Sequence, residues 1–373
     1  MPSFSVSPAL RSWAEVDPFA LRHNLAFVRK SIGPGPEILA VIKANAYGHG
    51  TAQVARALAH DATVFGVANL SEAREVLAAG TGRQVMLLSP CLPSEREAAV
   101  AAGVIVTVSS ADEAGSFAAY GRATVNFKVD TGMGRVGFVG ESAAREISRI
   151  AGRVNIHSIS THLPCADKDE PFTRGQLEKF SVMAAEFRRL APGAKIHALN
   201  SPGILRFPEY AEDMVRAGLM LYGCSPLPEF QDNLRPALAW KTRVTLVNDL
   251  PTGAGVSYCR TFITPRPIRT AVLAVGYADG FPRQASGMGA CVLIREMRCP
   301  LLGRVTMDQI VVDITGAGDI TPGEEAVILG SQGRESIAAA DLAAQTDTIP
   351  WDILTGIGSR VARVYPDSSF PIT

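Results

Sequence analysis

Between residues 38 and 223 short runs of Val, Ile, Leu and Phe alternate with longer Ala-, Glu- and Arg-rich segments, and the apolar runs number eight. They are "ILAVIKA", "VFGVAN", "VMLLS", "VIVTVSS", "TVNFKVD", "NIHSIST", "KIHALN" and "MVRAGLMLYG". A short strand followed by a segment of helical period returns most simply to a parallel neighbour, so repeated units of this kind call for a parallel sheet covered by helices. Eight of them predict a (β/α)8 barrel, which takes roughly 250 residues. An open doubly wound sheet is the alternative, but no G-x-G-x-x-G follows the first strand. Among the connecting helices, "SEAREVLAAG" is expected to start at a Ser71 cap and close at Gly80, and "TRGQLEKFSVMAAEFRRLA" to start at Thr173.

After "SPLPEFQDNLRPALAW" the rhythm changes to strands separated by Gly, Pro and Asp turns: "KTRVTLVNDL", "TAVLAVGYADG", "ACVLIREMRCPLLGRV", "QIVVDITG" and "EEAVILG". The expected fold is therefore α/β, a (β/α)8 barrel over residues 1–234 followed by a mostly β C-terminal domain over residues 235–373. A chain of 373 residues exceeds what one core normally supports, which fits two domains. Lys plus Arg and Asp plus Glu both count 36, so no net field favours nucleic acid or an anionic membrane, and the partner is expected to be a small molecule. No run of 18 apolar residues and no signal-peptide h-region is present, which reads as cytoplasmic. Cys91, Cys165, Cys224, Cys259, Cys291 and Cys299 are scattered without zinc spacing, so they read as reduced thiols and no metal is expected.

The working residues of such a barrel sit where strands end. Those positions carry Lys43, Lys128, Asp130, Arg135, His162, Asn200, Ser201, Arg216 and Tyr222. A lysine closing "ILAVI" either snorkels out of the strand end or, with its stem desolvated, becomes a nucleophilic amine able to form a Schiff base. The following "ANAYGHG" adds a tyrosine and two glycines, which let backbone approach a ligand as a phosphate site needs.

"AVIKANAYGHG" resembles the pyridoxal-phosphate attachment signature of the alanine racemases. The resemblance continues in order through "KVDTGMGRVGF", "STHLPCADK", "ALNSPG", "VRAGLMLYG", "GAGVSYCRTF", "AVGYADGFPR" and "LLGRVTMDQIVVDI", and so spans almost the whole chain. It implies an isomerase that racemises alanine, in which Lys43 holds the cofactor and exchanges the Cα proton on one face while Tyr258 serves the other. Two opposed bases are what inversion requires, because one base tends to return the proton to the face it came from. A tyrosine of ordinary pKa about 10 needs nearby cations to act as a base, and His162 and Arg216 are the candidates.

The resemblance further places Arg216 at the pyridine nitrogen. A guanidinium will not hand that nitrogen a proton, which weakens the electron sink and disfavours transamination and decarboxylation. It assigns Tyr47, Ser201 and the backbone of Gly218 and Leu219 to the phosphate, with His162 and Asn200 also at the cofactor, and Arg135 and the Met307 backbone N–H to the substrate carboxylate. Lys128 would be buried beside a like charge unless carbamylated, the form the family implies. The entrance would be lined by Asp167, Tyr277, Arg283, Arg304 and Asp308. Ser359 stands where some members carry a tyrosine, which leaves the exclusion of larger amino acids open. The implied assembly is a head-to-tail homodimer with each site built from two chains, and the first ~13 residues would pack on the C-terminal domain. The implied role is supply of D-alanine for peptidoglycan. A broad-specificity racemase, a non-catalytic pyridoxal-phosphate homeostasis protein and a barrel-plus-β-domain decarboxylase are the alternatives. Tyr258 and Met307 weigh against the second, and Arg216 against the third. His49 is read as support for its loop.

Overall fold

The computed structural model describes residues 4–140 and 142–366. The ends of the two expected domains, 1–3 and 367–373, lie outside the described residues. The chain divides into two compact units, one of Leu21–Ala46 and Gly50–Arg235, the other of Tyr47–His49, the described residues up to Ala20 and those from Pro236 on.

The first unit is the parallel barrel that the alternation predicted. Its eight strands are Glu37–Val41, Val64–Val67, Gln84–Leu87, Ile105–Val108, Thr124–Lys128, Asn155–Ser160, Lys195–His197 and Met214–Ala217. They lie side by side in sequence order, and the last pairs in parallel with the first, so the sheet wraps round. The seam between Lys195–His197 and Met214–Ala217 is bridged by Asp213 N to Ile196 O (3.1 Å) and Arg216 N to Leu199 O (2.9 Å).

The covering helices carry the caps that hold them in place. Asn69, not Ser71, caps the helix Leu70–Ala78, its side chain accepting from Glu72 N at 3.0 Å. The long helix begins three residues before Thr173, spanning Glu170–Leu190, because Asp169 accepts from Phe172 N (3.0 Å) and Pro171 is preset for a first turn. Its buried residues Thr173, Gln176, Leu177, Phe180, Ala184 and Phe187 follow the three-and-four spacing of a helix with one covered face.

The second unit is a mostly antiparallel nine-stranded sheet organised on the 13-residue strand Leu238–Leu250. That strand pairs with Ser12–Val16, Ile268–Leu273 and Glu325–Gln332. Ser12–Val16 is in turn paired in parallel with the closing strand Ala362–Val364. Trp240 and Phe281, both buried, meet with ring centroids 6.3 Å apart. The stretch "ACVLIREMRCPLLGRV" is a hairpin of Cys291–Ile294 and Met297–Leu302, not a single strand, turned by Arg295 and Glu296 at φ 49° and 63°. Two short helices, Ala339–Gln345 and Pro350–Gly356, complete the unit.

Candidate active site

The strand Glu37–Val41 stops two residues before Lys43, and the backbone then enters the left-handed region: Ala44, Asn45, Ala46 and Tyr47 have φ of 53°, 53°, 51° and 52°. None is glycine, so each costs about 1–2 kcal/mol relative to a right-handed turn, and surrounding contacts must enforce the conformation. They do so at several points. Ala44 N donates to Glu72 Oε1 (2.9 Å), Ala46 N to Ile42 O (3.0 Å), Gly50 N to Asn45 O (2.9 Å) and Thr51 N to Asn45 Oδ1 (3.2 Å). Just upstream, the Tyr222 hydroxyl donates to Val41 O at 2.9 Å. The left-handed turn thus follows directly on Lys43 at the carboxyl end of the first barrel strand.

Burial, with the Arg135 charge second, lowers the Lys43 pKa from the ordinary lysine value. Burial pushes the Tyr47 hydroxyl up to about 12, which keeps it a protonated donor. Arg216, closing its strand, is fully enclosed and donates to Ala198 O (2.6 Å), Thr161 O (2.7 Å) and His197 O (3.2 Å). Its pKa falls to about 10 through burial, so it remains a cation at neutral pH. It also meets His197 Nδ1 at 2.7 Å and His162 Nδ1 at 3.1 Å. Guanidinium only donates, so both Nδ1 atoms must accept, and both imidazoles are neutral. Burial and the Arg216 charge hold the pKa of both histidines well below the ordinary value. Of the two cations expected near Tyr258, His162 is therefore uncharged and only Arg216 carries charge.

Lys128 ends the strand Thr124–Lys128, and its ammonium donates to Thr161 O at 3.3 Å. Burial, then Arg216 and Arg135, put its pKa well below the ordinary lysine value. The nearby carboxylates do not neutralise this group of cations. Asp130 accepts from the N–H groups of Gly132 (2.8 Å), Met133 (2.7 Å) and Arg135 (3.0 Å), folding the loop that carries Arg135. Burial works to raise the Asp130 pKa, but these backbone bonds prevail and hold it below the usual range. Glu72 is engaged by Ala44 N and by Ala68 N (2.7 Å). The mouth of the barrel therefore gathers Lys43, Lys128, Arg135 and Arg216 with its carboxylates tied to backbone. Such a set suits a phosphate dianion and a carboxylate.

Ser201 and Gly218 are brought together, Gly218 N donating to Ser201 Oγ at 2.9 Å, and Leu219 is buried beside them in sequence. Both ends of the Asn200 amide are engaged, Nδ2 donating to Leu163 O (3.0 Å) and Oδ1 accepting from Gly203 N (3.1 Å). Asn200 thus caps Ser201–Arg206 and sets the position of Ser201. Asp167 lies on the loop after His162, its carbonyl accepting from Arg206 Nη1 at 3.2 Å.

In the other unit, the remaining expected residues share one rim. Tyr258 is 68% exposed on a turn whose neighbours Ser257, Cys259 and Arg260 have φ of 59°, 59° and 50°. Ser257 Oγ donates to Arg304 O at 2.6 Å. Tyr277 N donates to Thr306 O, and Ala278 N to Met307 O, both at 3.0 Å, so Tyr277 and Met307 stand on adjoining loops. Arg283 accepts at its carbonyl from Ser286 Oγ (2.6 Å), which accepts from Val305 N (3.0 Å). Asp308 accepts from Arg360 Nη2 at 2.9 Å, next to Ser359 in an exposed turn. Tyr277 and Met307, like Tyr258, face outward.

Sequence reasoning missed His197, Glu72 and Arg363. The signal for His197 was a polar residue at the end of the strand "KIH", while Glu72 and Arg363 are unremarkable surface-type residues until the fold places them.

A parallel barrel with a cation-lined mouth and a lysine after its first strand, followed by a mostly β unit, is an architecture shared with a family of pyridoxal-phosphate-dependent isomerases. The family model for the alanine racemase N-terminal domain matches residues 16–226, and that for the C-terminal domain matches residues 237–365. An alanine racemase of Methylacidiphilum infernorum is 40% identical over 372 residues, covering 98% of this chain and 95% of its own. The crystal structure of alanine racemase from D-cycloserine-producing Streptomyces lavendulae superimposes with TM-score 0.88 at 38% identity, covering 96% of this chain and 98% of that one. That of Bartonella henselae, with covalently bound pyridoxal phosphate, gives TM-score 0.85 at 27% identity, covering 95% and 99%. The chain belongs to the alanine racemase family.

Proposed function

We propose that the protein interconverts L-alanine and D-alanine by moving the Cα proton between Lys43 on one face and Tyr258 on the other, with pyridoxal phosphate held at Lys43. The observation that carries this reading is the barrel mouth itself, where Lys43, Lys128, Arg135 and Arg216 converge while Asp130 and Glu72 are bonded to backbone N–H groups. When bound, the cofactor supplies the electron sink that makes the Cα proton removable.

The chain's own residues do the rest. Lys43, its pKa lowered by burial, would hold the cofactor covalently and take or return the proton. Tyr47, a persistent donor, joins Ser201, Gly218 and Leu219 at the phosphate. Asn200 would act on that group by fixing Ser201, and His162, neutral and bonded to Arg216, would contact the cofactor. Arg216 would be the donor to the ring nitrogen, and because a guanidinium does not surrender its proton there it would confine the chemistry to proton exchange. Arg135 and the Met307 N–H receive the substrate carboxylate. Lys128 reacts as a neutral amine with carbon dioxide, its nitrogen forming the new bond and releasing one proton. The resulting carbamate anion would face Arg135, supplying the negative charge that Asp130 and Glu72, bonded to backbone, do not.

Asp167, Tyr277, Arg283, Arg304, Asp308 and Ser359 form the entrance. Since Lys43 and Tyr258 belong to different units, and Tyr258 is exposed, the active form is a homodimer in which each site draws on two chains. The working division is a barrel domain over 1–234, with its first ~13 residues on the C-terminal domain, and a β domain over 235–373. The protein acts in the cytoplasm, supplying D-alanine for peptidoglycan.

The deciding experiment is an absorbance spectrum of purified wild type and Lys43→Ala with a racemisation assay on L-alanine. A band near 420 nm, roughly where Schiff-base pyridoxal phosphate absorbs, should appear in wild type only, with racemisation lost in the variant. A wild type without the band, or a variant that still racemises, defeats the proposal.

A further inference from the structure

We propose that Arg363 is a positioning residue that holds the left-handed turn after Lys43 from the far end of the chain, with Tyr365 as the second point of attachment. Arg363 lies on the closing strand Ala362–Val364. Its guanidinium donates to main-chain carbonyls: Nε to Gly48 (2.8 Å), Nη1 to Gly358 (2.5 Å) and Val361 (2.7 Å), and Nη2 to Ile357 (2.6 Å). A cation bonded in this way acts as a clamp between two loops, with geometry that only a planar fork provides. Tyr365 adds a bond from its hydroxyl to His49 O at 2.9 Å. The two carbonyls gripped, Gly48 and His49, are the first two after the left-handed run.

The packing around Gly48 has the same sense. Its φ is +82°, and a Cβ there would collide with the Leu354 carbonyl of the helix Pro350–Gly356. His49 is buried and its Nδ1 contacts Tyr47 O at 2.9 Å, so the grip on His49 reaches the tyrosine directly. The upstream half of the strained turn is fixed by Glu72 and Asn45 within the barrel. Its downstream half is fixed by residues 354–365. A run of four non-glycine residues in this conformation persists only when it is enforced from both sides.

The inference rests on the reading of Lys43 and Tyr47 as cofactor ligands only for its functional consequence, which is that cofactor affinity depends on Arg363. The test begins with amide hydrogen exchange in the cofactor-free full chain, a readout independent of that reading. In Arg363→Ala the amides of residues 44–50 should exchange roughly tenfold faster, while Ala271 and Val312 in the β sheet keep wild-type protection. Arg363→Lys, which keeps the charge but loses the fork, should restore little of the protection, and Tyr365→Phe should show a smaller loss. Pyridoxal phosphate should bind Arg363→Ala about tenfold more weakly, with turnover at saturating cofactor reduced less than affinity. If Arg363→Ala fails to fold, Arg363→Lys and Tyr365→Phe carry the same measurement. Wild-type exchange at 44–50 in the folded variants overturns the clamp. Faster exchange with unchanged cofactor binding overturns the functional consequence. Lys43→Ala separates this from the assignment of the cofactor lysine, since it should lose covalent cofactor yet keep residues 44–50 protected.

Discussion

Two turns in this molecule hold non-glycine residues at positive φ next to a proposed catalytic side chain, and they are supported very differently. The turn after Lys43 is buried at Ala46 and Tyr47 and bonded through Glu72, Asn45, Ile42, Arg363 and Tyr365. The turn around Tyr258 has its tyrosine 68% exposed; Ser257 Oγ donates to Arg304 O (2.6 Å), Arg260 N to Ser257 O (3.2 Å), and the flanking strands Gly255–Val256 and Phe262–Ile263 pair with each other. Strain enforced by many internal contacts belongs to the folded chain itself. At Tyr258 the flanking strands are held while the tyrosine itself stays exposed, a surface on which the proposed second subunit would sit.

The largest expected effect that separates the two turns is that of Tyr258→Phe. Racemisation should fall by about 10²–10⁴-fold, as for loss of a general base, while thermal stability stays unchanged because the hydroxyl is on an exposed residue. In deuterated water one enantiomer should still exchange its Cα hydrogen through Lys43 without inverting. A variant that loses stability along with activity would contradict the contrast between the turns.

Gly48→Ala should do the opposite, weakening the fold before the chemistry. A Cβ at φ +82° against the Leu354 carbonyl should cost more than about 1 kcal/mol, read as a lower melting temperature together with weaker cofactor binding. Unchanged melting would mean that the turn is looser than its bonds imply.

Next in size is a mixing experiment. Inactive Lys43→Ala and Tyr258→Phe chains, unfolded and refolded together, should recover about a quarter of wild-type activity, because each mixed dimer has one intact site. No recovery would place both residues in a single chain and remove the proposed reason for the exposure of Tyr258.

The smallest effect concerns Lys128. A lysine whose pKa is lowered in the folded state penalises folding fully at low pH, and the penalty fades as pH rises toward 10.5, the ordinary lysine value, since the unfolded chain then binds the extra proton. In the cofactor-free protein under carbon-dioxide-free buffer, Lys128→Met should therefore be more stable by about 1 kcal/mol near neutrality, with the advantage shrinking toward pH 10.5. Urea titrations at several pH values would measure this, and a gain independent of pH would reject the electrostatic cause.

The barrel was legible because short continuous apolar runs alternating with segments of helical period are written directly into the residues, eight times over. Lys43, Lys128 and Arg216 were legible as reactive groups because charge at the end of an apolar strand is conspicuous. The left-handed turn was not, since in "ANAY" only Asn45 is of a type that tolerates positive φ, and the conformation of the other three residues is imposed by partners as distant as Glu72 and Arg363. The hairpin turn at Arg295 and Glu296 was hidden for the same reason, as neither residue is a usual turn former. Asn69 and Asp169 were overlooked as caps because a second polar residue followed each of them. The neutrality of His162 depends on an arginine 54 positions away.

The clamp by Arg363 has a consequence for biosynthesis. Gly48 and Arg363 lie 315 positions apart, so during synthesis the bond between them waits until the closing strand Ala362–Val364 has been made. Nascent chains stalled before residue 363 should therefore retain pyridoxal phosphate less well than chains that carry Arg363.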